Sequence, residues 1–139
     1  PKDKRLPLGV RLSTKDLFDV AGVGPGAFGY YRDGDKRYRF VTMIRADEEQ
    51  AKDVLATLGK EQGATKEKGI ADGAVRLPRK DGDGPAIKWL FARTGAKIVG
   101  IGDEVRALRS GMTADDVAKV SLGKDDKVAR LKDAIAQKL

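Results

Sequence analysis

The 139-residue sequence predicts an α+β fold, an antiparallel sheet of about five strands with helices packed on one face. Three observations carry this. Short β-rich runs are joined by Asp-Gly and Thr-Gly turns too tight for parallel crossovers. Helix signals recur beside them, capping residues at Ser13, Asp47 and Thr113 and apolar stripes at helical spacing. A chain of this length buries roughly two-thirds of its unfolded surface, enough for one core without a disulfide or metal staple. The element order is α-ββ-α-βββ-α-α, with residues 1–11 a flexible N-terminal tail or linker and 12–139 a single α+β domain.

The first helix is placed by Ser13 as cap, Asp16 as a shortened capping-box acid, and Leu12 and Leu17 as a hydrophobic staple. Ala21-Gly22-Val23-Gly24-Pro25-Gly26 ends it, because neither glycine nor proline continues a helix cheaply. Phe28 to Arg32 and Lys36 to Arg45 are strands joined by Asp33-Gly34-Asp35, where Asp-Gly supplies positive φ. The second run alternates and then turns apolar on both faces, which places it near the sheet centre. Asp47 caps a helix to about Leu58 or Gln62, with Gln50 at the capping-box position and Ala51, Val54, Leu55 and Leu58 on one face.

A three-strand meander follows, Gly73 to Arg79, Ala86 to Arg93 and Lys97 to Gly102, broken by Asp81-Gly82-Asp83-Gly84 and Thr94-Gly95. Ile87, Trp89 and Phe91 alternate with Lys88, Leu90 and Ala92, so Trp89 points into the core. Thr113 and Asp116 repeat the capping box, with Met112 and Val117 as staple, for a short helix to about Val120. Lys124 to Leu139 is a terminal helix with Val128, Leu131, Ile135 and Leu139 in a stripe.

Composition narrows the chemistry. With neither Cys nor His there are no thiolate nucleophiles, Ser-His-Asp triads or histidine switches. What remains is carboxylate, Lys, Ser/Thr, Tyr or backbone chemistry, and no cofactor or metal is expected. Lys and Arg number 28 against 21 acids, but the excess is spread as +4, −1 and +4 over residues 1–39, 40–83 and 84–139, as on a mixed soluble surface. No apolar run approaches the roughly 20 residues of a membrane span.

Four motifs invite functional readings. Gly24-Pro25-Gly26-Ala27-Phe28-Gly29 matches G-x-G-x-x-G, but a helix precedes and a strand follows, the reverse of a dinucleotide site, so it reads as a flexible connector. Lys36 to Met43 partly resembles the RNA-recognition-motif strand: Tyr38 and Phe40 share a face for base stacking, with Arg37 and Arg39 for phosphates. Arg37 and Arg39 stand where that pattern has small residues and Met43 where it has an aromatic, so Tyr38 and Phe40 are expected instead to pack against the Ala51–Leu58 helix. Asp81-Gly82-Asp83-Gly84 lacks the bidentate Glu of a calcium loop, and Asp103-Glu104 point apart as turn residues.

Leu12-Ser13-Thr14-Lys15-Asp16-Leu17-Phe18-Asp19 with Gly22 to Gly29, and Ile70 to Val75 with Trp89 to Glu104, resemble an uncharacterised bacterial domain of unknown function found mainly in exported and lipoprotein-type envelope proteins. The resemblance spans residues 12–139 and implies an extracytoplasmic setting, periplasmic or lipoprotein-anchored, with no catalytic residues to carry over. The leading expectation is a non-enzymatic binding or scaffolding domain that takes a protein, glycan or small ligand. Its candidate surface is Gly24, Gly26, Tyr30, Tyr31 and Arg32, where loop flexibility and amphipathic aromatics coincide. The alternatives are a nucleic-acid module using Arg37, Tyr38, Arg39 and Phe40, and a carboxylate- or Tyr-dependent enzyme.

Overall fold

A computed structural model describes residues 6–13, 17, 20, 22–79, 85–104, 108 and 110–136. Seven strands, β1 (Leu6–Ser13), β2 (Gly26–Asp33), β3 (Lys36–Ile44), β4 (Thr65–Glu67), β5 (Ala74–Arg79), β6 (Ile87–Thr94) and β7 (Lys97–Asp103), form one antiparallel sheet in the order β1-β2-β3-β7-β6-β5-β4. Among the described residues, three helices complete the α+β fold: α1 (Glu48–Gly59), α2 (Ala114–Val120) and α3 (Lys124–Ala136).

All five expected strands are present, and the two further ones are the sheet edges. β1 takes up Leu12 and Ser13, read from the sequence as a helix start, and pairs them with Ala27 and Gly26 of β2. It also orders residues 6–11, within the stretch expected as a tail. The Val20 N–H donates to the Leu17 carbonyl at 3.2 Å, and both side chains are buried. The expected capping residue Asp16, the Asp81–Gly84 turn and Leu139 lie outside the described residues.

Both tight hairpins use glycine where the backbone requires it. Gly34 (φ 62°) follows Asp33, which pairs with Lys36, and Gly95 (φ 60°) follows Thr94, which pairs with Lys97. These connections are two residues long, and glycine enters the left-handed region without the clash a Cβ would bring.

The helices cover both faces of the sheet, not one. Val41, Met43, Trp89, Phe91 and Ile98 form a cluster with Ala51, Val54 and Leu58 of α1. Tyr38, Phe40, Leu90, Ala92, Val99 and Ile101 form the other with Leu131 and Ala134 of α3. The reason is visible in β6, where consecutive residues Trp89, Leu90, Phe91 and Ala92 are all buried. A strand apolar on both sides needs a layer on each. Tyr38 and Phe40 therefore pack under α3 rather than against α1.

Two glycines of β7 make room for the aromatic core. A Cβ at Gly100 would lie 2.6 Å from Phe91 Cδ1 and 2.7 Å from Val41 Cγ1, and one at Gly102 would lie 2.4 Å from Trp89 Cδ2. Trp89 and Phe91 stack over this bare stretch of backbone with centroids 5.6 Å apart.

The helix starts follow their caps. Asp47 accepts from the Gln50 N–H at 2.9 Å, and Gln50 Oε1 accepts from the Ala46 N–H. In α2, Thr113 and Asp116 bond reciprocally as a capping box, which holds the Asp116 carboxyl below its ordinary pKa. Replacing a helix cap by alanine leaves a first-turn N–H without its partner, so Asp47→Ala is expected to lower stability by about 1 kcal/mol in urea unfolding. An unchanged midpoint would show that the α1 cap contributes nothing.

Candidate functional site

The residues singled out in the sequence do not form one surface. Tyr30 and Tyr31 are neighbours on β2 and so point to opposite faces. Tyr30 packs on the α1-side cluster, while Tyr31 stacks on Tyr38 at 5.7 Å and meets Phe40 edge-on. The connector holding Gly24 is tied down: Arg45 Nη2 donates to the Val23 and Pro25 carbonyls, and the Leu17 N–H donates to Gly24 O. Gly26 is the first residue of β2, where a Cβ would meet Leu17 Cδ1 at 2.7 Å. Arg32, half-buried, pairs with Arg37 across the hairpin.

The basic and aromatic strand likewise divides. Tyr38 is fully buried and Phe40 nearly so (0% and 8% exposed), so neither ring offers a stacking platform for a base. The Tyr38 hydroxyl accepts from Arg130, whose other donors reach Asp33 and Asp126. Arg39 lies on the opposite face, its guanidinium 4.8 Å from the Trp89 ring centroid and 5.6 Å from that of Phe28. Arg37 is exposed.

A cleft of about 840 Å³ opens at one end of the sheet, where β5, β6 and β7 meet the junction of α2 and α3. Pro78, Pro85, Ala86 and Val117 present its apolar wall, backed by the buried Leu77, Trp89 and Leu122. Among the described residues, Lys36, Arg76, Lys88, Lys124 and Lys127 bring five cations, against Asp103 as the one lining carboxylate. Each arrives for a local reason. Lys36 opens β3 and donates to the Ala118 and Ser121 carbonyls at 2.9 Å, using the carbonyl end of α2. Lys88 alternates outward between the buried Ile87 and Trp89, and Lys124 begins α3. Arg76 is paired with Glu67 across β4 and β5.

No family model, curated protein or solved structure matches this chain.

At the base of the cleft, Asp103 and Lys127 form a buried ion pair at 2.9 Å. The second carboxylate oxygen of Asp103 accepts from the Leu122 N–H, also at 2.9 Å. Burial pushes the Lys127 ammonium below its ordinary pKa; Asp103 opposes this, while the charges of Lys88 and Arg76 add to it. Asp103 and Glu104, read from the sequence as turn residues, are both buried. Asp103 instead pins the start of α3 to the end of β7, and with both oxygens engaged it is not poised as a general base. Among the described residues, no three Asp or Glu side chains gather as a metal site, and no helix is long and apolar enough to cross a membrane.

The lysines of the cleft escaped the sequence reading because they come from separate elements. One signal was present. Lys127 is four and seven residues before Leu131 and Ala134, on the buried side of α3. A lysine within an apolar stripe calls for a buried partner.

Proposed function

We propose that this chain is a non-enzymatic ligand-binding domain of a bacterial cell-envelope protein, with the cleft at the end of the sheet as its seat. The observation that carries the reading is the pairing of an apolar wall with a cationic one in a recess whose volume falls in the range of small-molecule sites, roughly 300–1,000 Å³. The polar groups an enzyme would need there are already engaged: Asp103 by Lys127 and a backbone N–H, and Tyr38, beneath α3, by Arg130. The nucleic-acid alternative loses its stacking pair to the core and keeps only dispersed charge. The envelope setting draws on the resemblance of residues 12–139 to exported bacterial domains.

The test is an NMR titration of the 15N-labelled chain with a library of small fragments. Shifts are expected to gather on the Trp89 indole and on the amides of Val117, Leu122 and Lys124. Fragments that bind elsewhere, or nowhere, would remove the cleft as the binding site.

A further inference from the structure

We infer that the ligand of the cleft is a single-chain anionic amphiphile, one acidic head on a hydrocarbon tail. This rests on the cleft being the binding site and names the chemistry it selects. The cations differ in how far they are already neutralised. Lys127 is matched by Asp103 and Arg76 by Glu67. Lys36 donates to two neutral carbonyls, which leaves its charge uncompensated, and Lys88 and Lys124 are exposed at the rim. Three lysine charges thus face a recess whose one carboxylate among the described residues is already occupied.

A bare anion would satisfy those charges but leave Pro78, Pro85, Ala86 and Val117 against water, in a space of about 840 Å³ where a water-sized ion needs roughly 30 Å³. A neutral hydrocarbon would cover that wall while forgoing the three ammonium groups. A molecule carrying both parts uses both walls, its head forming charge-assisted hydrogen bonds and its tail burying apolar surface. All three uncompensated cations are lysines, point charges that attract an anionic head without the planar fork by which arginine selects bidentate partners.

Trp89 is the sole tryptophan and lines the cleft, so its fluorescence reports occupancy without a label. The intact chain is titrated with laurate below its micellar concentration, with dodecanol and with acetate. Laurate is expected to bind more than tenfold more tightly than dodecanol, and acetate to leave the emission unchanged. The double charge reversal K88E/K124E alters two exposed side chains; it should weaken laurate more than tenfold while dodecanol affinity and the melting temperature stay put. Laurate binding no better than dodecanol, indifferent to the charge reversal, or matched by acetate would overturn the inference. If laurate fails while fragments still gather on Trp89 and Val117, the ligand class falls and the binding site stands; if the fragments fail too, both fall.

Discussion

Lys127→Ala is expected to lower the unfolding free energy by about 3–5 kcal/mol, a large fraction of the stability of an ordinary small domain. The cost does not measure the attraction between Lys127 and Asp103. It is the penalty for leaving the Asp103 carboxylate buried with the Leu122 N–H as its remaining donor, after an ammonium 2.9 Å away has been removed. Lys127→Met with Asp103→Asn should therefore recover more than half of the loss, because the neutral amide still accepts from Leu122 and no charge stays behind. Urea unfolding of the single and double variants measures both numbers; a double variant no better than the single would locate the effect in packing.

The same pair gives a pH dependence of known sign. Burial holds the pKa of Lys127 in the folded chain below its ordinary value of 10.5, so between the two the unfolded chain binds the extra proton. The contribution of Lys127 to stability then rises with pH through that window and is complete above 10.5. The stability difference between the wild type and Lys127→Met should grow in favour of the wild type as pH rises toward that value.

Trp89→Ala should cost about 3–5 kcal/mol, since the indole is enclosed by Phe91, Phe28 and the Arg39 guanidinium and its removal leaves a cavity they cannot fill. The informative experiment adds Gly102→Ala. Alone, this change drives a methyl into the indole at 2.4 Å and should cost about 1–3 kcal/mol. In the Trp89→Ala background the obstacle is gone, so the second substitution should be nearly free. The double-mutant cycle then shows a coupling of at least about 1 kcal/mol. Additive losses would mean that Gly102 is required for the backbone itself and not for the ring.

The inner part of the fold was legible because its signals are local. The Asp47 cap, the Thr113–Asp116 box and the glycines of the two tight hairpins each act within a few residues, and the alternation around Trp89 follows from strand geometry alone. The edge strands were not, for opposite reasons. β4 is Thr-Lys-Glu, with no apolar pattern, and β1 begins Leu-Pro-Leu-Gly, which reads as irregular chain. Both owe their structure to one neighbouring strand. The second covering layer could have been inferred from Leu90 and Ala92, whose burial opposite Trp89 and Phe91 demands it. The cleft could not: Lys36, Lys88 and Lys124 are scattered over nearly ninety residues and meet through the tertiary fold.

The junction of β3 with β7 has a kinetic meaning. Its paired residues, from Ile44 with Lys97 to Tyr38 with Asp103, stand 53 to 65 positions apart, whereas every other ladder joins strands consecutive along the chain. Zipping one hairpin onto the next meets little chain entropy, but docking the β1–β3 half onto the β4–β7 half must close the long loop that carries α1. That seam is the pairing of highest contact order in the sheet, and since Asp103 lies in it, the cleft depends on the ladder that costs the most chain entropy to close.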